Sequence, residues 1–399
     1  MSEQKHNPRK PLTIRTRGIL PIQHLRQLHE FGVITSHQAY PICDNQFQPN
    51  SMDLRLGATA YRVRCSFLPE NETVQSKMER LTQHSLDIRE GAVLEQNCTY
   101  LIPLLETLNL PPSGRYVPSS ENGLLHTEET LTAKANPKSS TGRLDIFTRL
   151  ITDHSHRFEE IAAGYQGPLY LEVVPKSFPI RVQTGQRLNQ LRIRHGLAML
   201  SDQDILHTHL KDPILFDEQG VAIPVDDLNV RDGLFMRVNL QAPDGAIVGY
   251  KAKKHRDLID LKKENHYSVQ AFWDPIYARK DDYMILEPEA FYIFASKEYC
   301  RIPHHLAAEM VPYDTGSGEL RTHYAGFFDS GFGGEVTDGG ARAVLEVRSH
   351  DVPFLVEDGQ TFFRMVFEPN TVLPEDLYGG RLNSNYQGQS LKLGKHFMD

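Results

Sequence analysis

The chain has 399 residues, long enough for two or three domains with cores of their own. Hydrophobic residues make up 40% and charged ones 24%, the range of an ordinary globular protein. A formal net charge of -8 argues against a general nucleic-acid or anionic-membrane binder, which would present a basic face, but leaves a small anionic ligand open.

The N-terminal "MSEQKHNPRKPL" is polar and lacks the apolar stretch of a signal peptide. No apolar run approaches the roughly 20 residues of a membrane span. Cys43, Cys65, Cys98 and Cys300 are far apart and show no CxxC spacing. The expectation is a soluble cytoplasmic protein with reduced thiols and no nucleic-acid or membrane partner.

In chain order, "ILPIQHLRQLHEFG" (19–32) has apolar residues at helical spacing and predicts a helix ending at Gly32. Short runs rich in Val, Ile, Leu, Phe and Tyr follow, punctuated by Gly, Pro, Asn and Asp, and predict strands. A second helix is predicted over "LSDQDILHTHL" (200–210), with Ser201 as its N-cap. Strand-like runs then resume to the end.

The two halves repeat. "GAVLEQNCTYLIPLLETLNLP" (91–111) matches "YMILEPEAFYIFASKEYCRIP" (283–303), with Leu94 against Leu286 and Pro111 against Pro303. "QGPLYLEVVPKSFPI" (166–180) matches "GGARAVLEVRSHDVPF" (339–354), with Glu172 against Glu346 and Pro179 against Pro353. "SMDLRLG" (51–57) has a degenerate partner in "LFMRVNL" (234–240), Arg55 facing Arg237. Offsets that hold within blocks and change only at loops indicate duplication. The reading is mainly β: two tandem sandwich or jelly-roll units, each preceded by a short helix. The first spans residues 1–196 and the second 197–399, packed together because no low-complexity linker separates them.

Several segments carry candidate chemistry. "KSSTGR" (138–143) offers hydroxyls, a glycine and two cations within six residues, which suits a polyphosphate or a plain polar loop. "YAGFFDSGFGG" (324–334) reads as a turn around Asp329. Glu172 and Glu346 each stand inside an apolar strand, where a carboxylate is costly unless paired or used. His126-Thr127-Glu128 matches the H-x-E of zinc deaminases, but no PCxxC follows, so a zinc site is discounted.

Taken together, "QPNSMDLRLG", "KSSTGR", "LYLEV", "TGQRLNQL" and the C-terminal "YQGQ" resemble, in order, the motifs of dCTP deaminases, which share the trimeric dUTPase-like β fold. The resemblance covers nearly the whole chain, once per half, and is closest to the tandem-repeat bacterial form. It implies hydrolytic deamination of dCTP to dUTP and ammonia without zinc, a strand glutamate serving as proton shuttle, and Mg²⁺ carried by the substrate triphosphate. It also implies a homo-oligomer, with dUTP and dTTP as further candidate ligands. By the same resemblance Lys138, Ser139, Ser140 and Arg143 grip phosphate, and Ala325, Asp329, Val344 and Gln190 surround the nucleoside. Tyr386, Gln389 and Lys392 belong to a C-terminal lid.

The halves depart from the pattern in opposite ways. "EEIAAGYQG" (159–167) puts Ala162 where the hairpin aspartate belongs, and "YDTGSG" (313–318) puts Gly318 where Arg143 stood. The family often has an arginine two residues before the aspartate, and Phe327 occupies that place. These departures predict composite sites in which Ser139, Ser140 and Arg143 meet Asp329 and Glu346, with Glu172 left as the second candidate shuttle. A dUTPase, a bifunctional enzyme and a non-catalytic nucleotide-binding regulator are the alternatives.

Overall fold

The computed structural model describes residues 12–111, 117–119, 123–243, 245–279, 283–312, 320–322, 326–349, 352–380 and 390–398. Strands dominate. The second half opens with a helix as expected, but in the first half two short strands, Leu12–Ile14 and Gly18–Ile19, precede the helix. The first helix, Ile22–Glu30, starts after Pro21 and buries Ile22, Leu25 and Leu28 on one stripe; the chain then leaves through Gly32 at φ +74°. The second, Asp202–Lys211, is closed by a reciprocal cap: Ser201 Oγ accepts from the Asp204 amide at 3.2 Å, and the Asp204 carboxylate accepts from the Ser201 amide at 3.2 Å.

The duplication is visible strand by strand. In the first half a sheet runs Ile146–Ile151, Gln166–Pro175, Tyr100–Asn109, Thr59–Val63, Thr82–Asp87. In the second half Ala341–Ser349, Phe291–Cys300, Ile247–Ala252 and Trp273–Tyr277 follow in the same order. Register agrees as well: Glu172 lies opposite Leu101, and Glu346 lies opposite Ile293, the residue equivalent to Leu101. Even side-chain details recur. Arg55 donates its amide and Nε to Glu106 at 2.8 and 2.7 Å, and Arg237 does the same to Glu298 at 2.9 and 2.5 Å. The repeat is therefore structural as well as textual, and the architecture is the mainly β, two-unit one read from the sequence.

What the two units do with the outer face of that sheet differs. In the first half, Leu101, Ile151 and Tyr170 are roofed by Val74 and Met78 of the unit's own helix Val74–Leu81. In the second half the same face turns towards the first half. Leu345 and Val347 point into the second unit's own core, whereas Val344, Phe291 and Ile293 join the core of the first. Ala252, Ile259, Phe272, Trp273 and Phe397 join it too, and strand Ile259–Asp260 adds to the edge strand Ile180–Val182. Phe178 of the first half meets Phe272 and Trp273 edge-on at 5.5 and 5.7 Å. Each such fully buried aromatic is worth about 2–3 kcal/mol of transfer free energy, so the halves join through a common core along the seam, while the second unit keeps a further core of its own.

The four cysteines are unbridged. Among the described residues no helix is long and apolar enough to cross a membrane.

Candidate active site

A cleft of about 500 Å³ opens along the seam between the halves. Its first-half wall is "KSSTGR", a single helical turn, Ser139–Gly142, pinned by the Thr141 hydroxyl donating to the Leu188 carbonyl at 2.7 Å. Ser139 and Ser140 reach the cleft, while Arg143 is buried and donates from Nη1 to the Lys392 carbonyl at 3.0 Å. Lys138 pairs with the buried Asp53, which Arg187 also approaches at 3.5 Å. Gln190 lines the cleft from the strand paired with Asp53.

The second-half wall is the Asp329 hairpin and the strand carrying Glu346. Gly333, at φ +83°, lets the hairpin pass so close to strand Phe291–Cys300 that a Cβ there would stand 2.3 Å from the Cys300 carbonyl oxygen. Phe332 closes the turn and stacks edge-on against Phe328 at 4.9 Å. Asp329 is buried with its Oδ1 accepting from Arg192 Nη2 at 2.8 Å. Burial pushes its carboxyl above the usual range, and Arg192 and then Lys138 oppose that rise.

Glu346 faces the turn Ser139–Gly142 directly. A Cβ built on Gly142 would lie 2.4 Å from Glu346 Oε2, so the two halves meet at this carboxylate. Enclosure in the cleft pushes its carboxyl up to about 8, with Arg143 lowering it and Asp145 raising it further. Asp145 is itself held in the seam, accepting from Ser177 Oγ at 2.5 Å and from Arg348. A carboxyl raised this far can take up and release protons in the neutral range, and the turn Ser139–Gly142 and the Asp329 hairpin stand on either side of it. Among the described residues no group of three or more His, Cys, Asp or Glu side chains is placed to hold a metal ion.

Glu172, the equivalent carboxylate of the first half, is not in this cleft. It is 2% exposed and accepts from Arg149 Nε at 2.9 Å and Nη2 at 2.6 Å. Arg149 in turn lies 3.7 Å from the centre of the Phe158 ring. The cost of a buried carboxylate there is met by an ion pair. Arg149→Met should therefore lower stability by about 3 kcal/mol in urea unfolding, because it strands the charge, and Glu172→Gln in the same background should restore most of the loss.

Two halves of one chain thus carry complementary walls of a single cleft, in the order the motifs take along the sequence. A family model for the N-terminal domain of 2'-deoxycytidine 5'-triphosphate deaminase matches residues 16–197, and the C-terminal domain model matches residues 201–397. The chain belongs to the dCTP deaminase family. It is similar to a crystal structure of the dCTP deaminase from Agrobacterium tumefaciens, with 42% identity over 92% of this chain and 100% of that one, at a TM-score of 0.81. No curated protein matches it.

Of the residues that the dCTP deaminase resemblance singles out, Lys138, Ser139, Ser140, Arg143, Gln190, Asp329, Val344 and Glu346 line the one cleft. Lys392 is described but is not among the side chains lining it; its carbonyl meets Arg143 instead. Ala325, Tyr386 and Gln389 lie outside the described residues, as does the segment 313–318. Sequence reading missed Asp53, Gln186 and Arg187, although "NSMDLR" and "TGQR" had been picked out as family motifs and carried the signal. It also missed Lys395 and His396 at the C-terminal end, where nothing in a Gly-Lys-His triplet announces a cleft. Burial, with Lys395 adding to it, pushes the His396 imidazole down to about 4, so it is neutral at physiological pH.

Proposed function

We propose that the chain hydrolyses dCTP to dUTP and ammonia at a composite site, with triphosphate on the first half and nucleoside on the second. The observation that carries this reading is the contact of Gly142 with Glu346, which places the phosphate-type turn against the strand carboxylate inside one chain. Ser139, Ser140 and Arg143 take the phosphates, Arg143 offering a planar fork and Lys138 a point charge. Mg²⁺ arrives on the triphosphate as part of the substrate, held by phosphate oxygens and water. Asp329 accepts the deoxyribose 3'-hydroxyl, and Val344, Gln190 and the hairpin enclose the pyrimidine. Tyr386, Gln389 and Lys392 belong to the closing segment.

The chemistry runs through Glu346 without zinc. Its carboxylate takes a proton from water as the water oxygen bonds to C4, and passes that proton to N3. It then moves the second proton from the new hydroxyl to the amino group, the C4–N bond breaks, and ammonia leaves behind the C4 carbonyl of dUTP. Because the shuttle starts ionised, kcat/KM for dCTP should climb about tenfold per pH unit below the Glu346 value of about 8 and level off above it. A profile flat from pH 6 to 9 would remove Glu346 from this role.

Incubation of the pure protein with dCTP and Mg²⁺, followed by product identification, tests the whole reading. dUTP and ammonia support it. dUMP with pyrophosphate would add phosphohydrolysis, and bound but unchanged dCTP would make the protein a regulator of the same fold. Competition by dUTP and dTTP in the same assay reads whether they share the cleft. The site is drawn from one chain, and association of several copies, which the family's multi-subunit sites suggest, is read by light scattering.

A further inference from the structure

The hairpin that carries Asp329 is held from the other half of the chain. Arg192 stands on the first-half strand Asn189–His195 and is 3% exposed. Its guanidinium lies 4.1 Å from the centre of the Phe327 ring. Nη1 donates to the Ala308 carbonyl at 2.9 Å, and Nη2 donates to the Phe328 carbonyl at 3.3 Å and to Asp329 Oδ1 at 2.8 Å. The first half also supplies the neighbours. Ser51 Oγ donates to Asp329 Oδ2 at 3.4 Å, and Asn50 Oδ1 accepts from the amide and hydroxyl of Ser330 at 2.7 and 2.8 Å.

Arg192 is thus the cation of a clamp that crosses the seam. One plane of donors fixes two carbonyls and one carboxylate oxygen of the second half, and the ring of Phe327 covers its face. The longer, weaker contact is at Oδ2, the oxygen that keeps most of its accepting capacity. Burial alone drives the Asp329 carboxyl towards its neutral form, and Arg192 is the largest opposing influence. Without the clamp the aspartate would lose both its orientation and the charge that makes it an acceptor.

We propose that Arg192 is a positioning residue for sugar recognition, fixing Asp329 as the acceptor of the substrate's 3'-hydroxyl from the opposite half of the chain. This rests on the reading of Asp329 given above. Arg192 acts through Asp329; it is not one of the side chains lining the cleft.

The test compares dCTP with 2',3'-dideoxy-CTP, which lacks the hydroxyl, for the wild type, Arg192→Met, Arg192→Lys, Asp329→Asn and the double variant. The wild type should prefer dCTP in kcat/KM. Arg192→Met should lose about 10- to 100-fold on dCTP with little change on the dideoxy substrate, bringing the preference close to one. Asp329→Asn should do the same, and the double variant should lose no more than either single one. A merely structural role would instead lower both substrates equally, or give multiplicative losses in the double variant; either result overturns the proposal. So does a wild type blind to the 3'-hydroxyl. Thermal melting checks folding. If Arg192→Met does not fold, Arg192→Lys decides, since lysine keeps the charge but not the fork: an intermediate preference supports the clamp and an unchanged one overturns it. Calorimetric binding of the two nucleotides repeats the comparison without turnover, so a protein that proves not to be a deaminase still gives an answer about the clamp.

Discussion

Glu346→Gln is expected to lower kcat for dCTP by about 10²- to 10⁴-fold, and Glu172→Gln to leave it within a few-fold of the wild type. The two residues are equivalents of one another: same strand, same register, opposite Ile293 and Leu101 respectively. What separates them is their surroundings. Glu172 is paired with Arg149 in a unit whose neighbouring outer face is roofed by its own helix, Val74–Leu81. Glu346 looks across the seam at Gly142, and enclosure pushes its carboxyl to about 8. Glutamine keeps the size of Glu346 and removes its ability to exchange protons, so substrate KM should move far less than kcat. Steady-state kinetics on both variants, with dUTP measured as product, checks the pair. The reverse pattern, with Glu172 essential, would sink the assignment.

The second large effect is expected from a residue with no functional group. Gly142→Ala should lower kcat/KM by roughly 10²-fold while leaving the melting temperature unchanged or slightly raised. Gly142 does not use the left-handed backbone region that reserves a position for glycine, and alanine is the better helix former by about 1 kcal/mol. The new methyl would instead meet the Glu346 carboxylate, with Oε2 at 2.4 Å and Cδ at 2.8 Å. The far end of a glutamate can swing away at small cost in stability, but a shuttle moved by an ångström no longer spans water, N3 and the amino group. Glu346→Asp, shorter by one methylene, should recover part of the lost rate when combined with Gly142→Ala. Full activity in Gly142→Ala would show that the carboxylate is not where the reaction occurs.

Much of this was legible in the sequence. The duplication followed from constant offsets, and the strand class from short apolar runs. The opposite departures at Ala162 and Gly318 led to the expectation of composite sites, although Gly318 lies outside the described residues. Arg192 was not legible, because an arginine alternating with Leu191 and Ile193 reads as the solvated face of a strand. It is buried, with Phe327 over its guanidinium and its donors on Ala308, Phe328 and Asp329 of the second half. The roles of Asn50 and Ser51 were hidden in the same way, since their partners, Ser330 and Asp329, lie 280 and 278 residues away. Nor could the sequence tell which glutamate would be paired off. That depends on Arg149, a residue of a neighbouring strand, and on which face of each sheet the rest of the chain covers. Local pattern predicts elements; what lies across a seam is a long-range property.

The shared core has a practical consequence for anyone cutting the chain. A break in the connection between His195 and Asp202 would not yield two autonomous modules. A first fragment would expose Phe178 and lose the strand Ile259–Asp260 from its sheet edge. A second would present Trp273, Phe291 and Phe397 to water. Each piece alone should be aggregation-prone, and mixing them should regenerate the native assembly and its nucleotide chemistry together. Though the chain holds two units of matching strand register, what folds and can be lost as a whole is the pair.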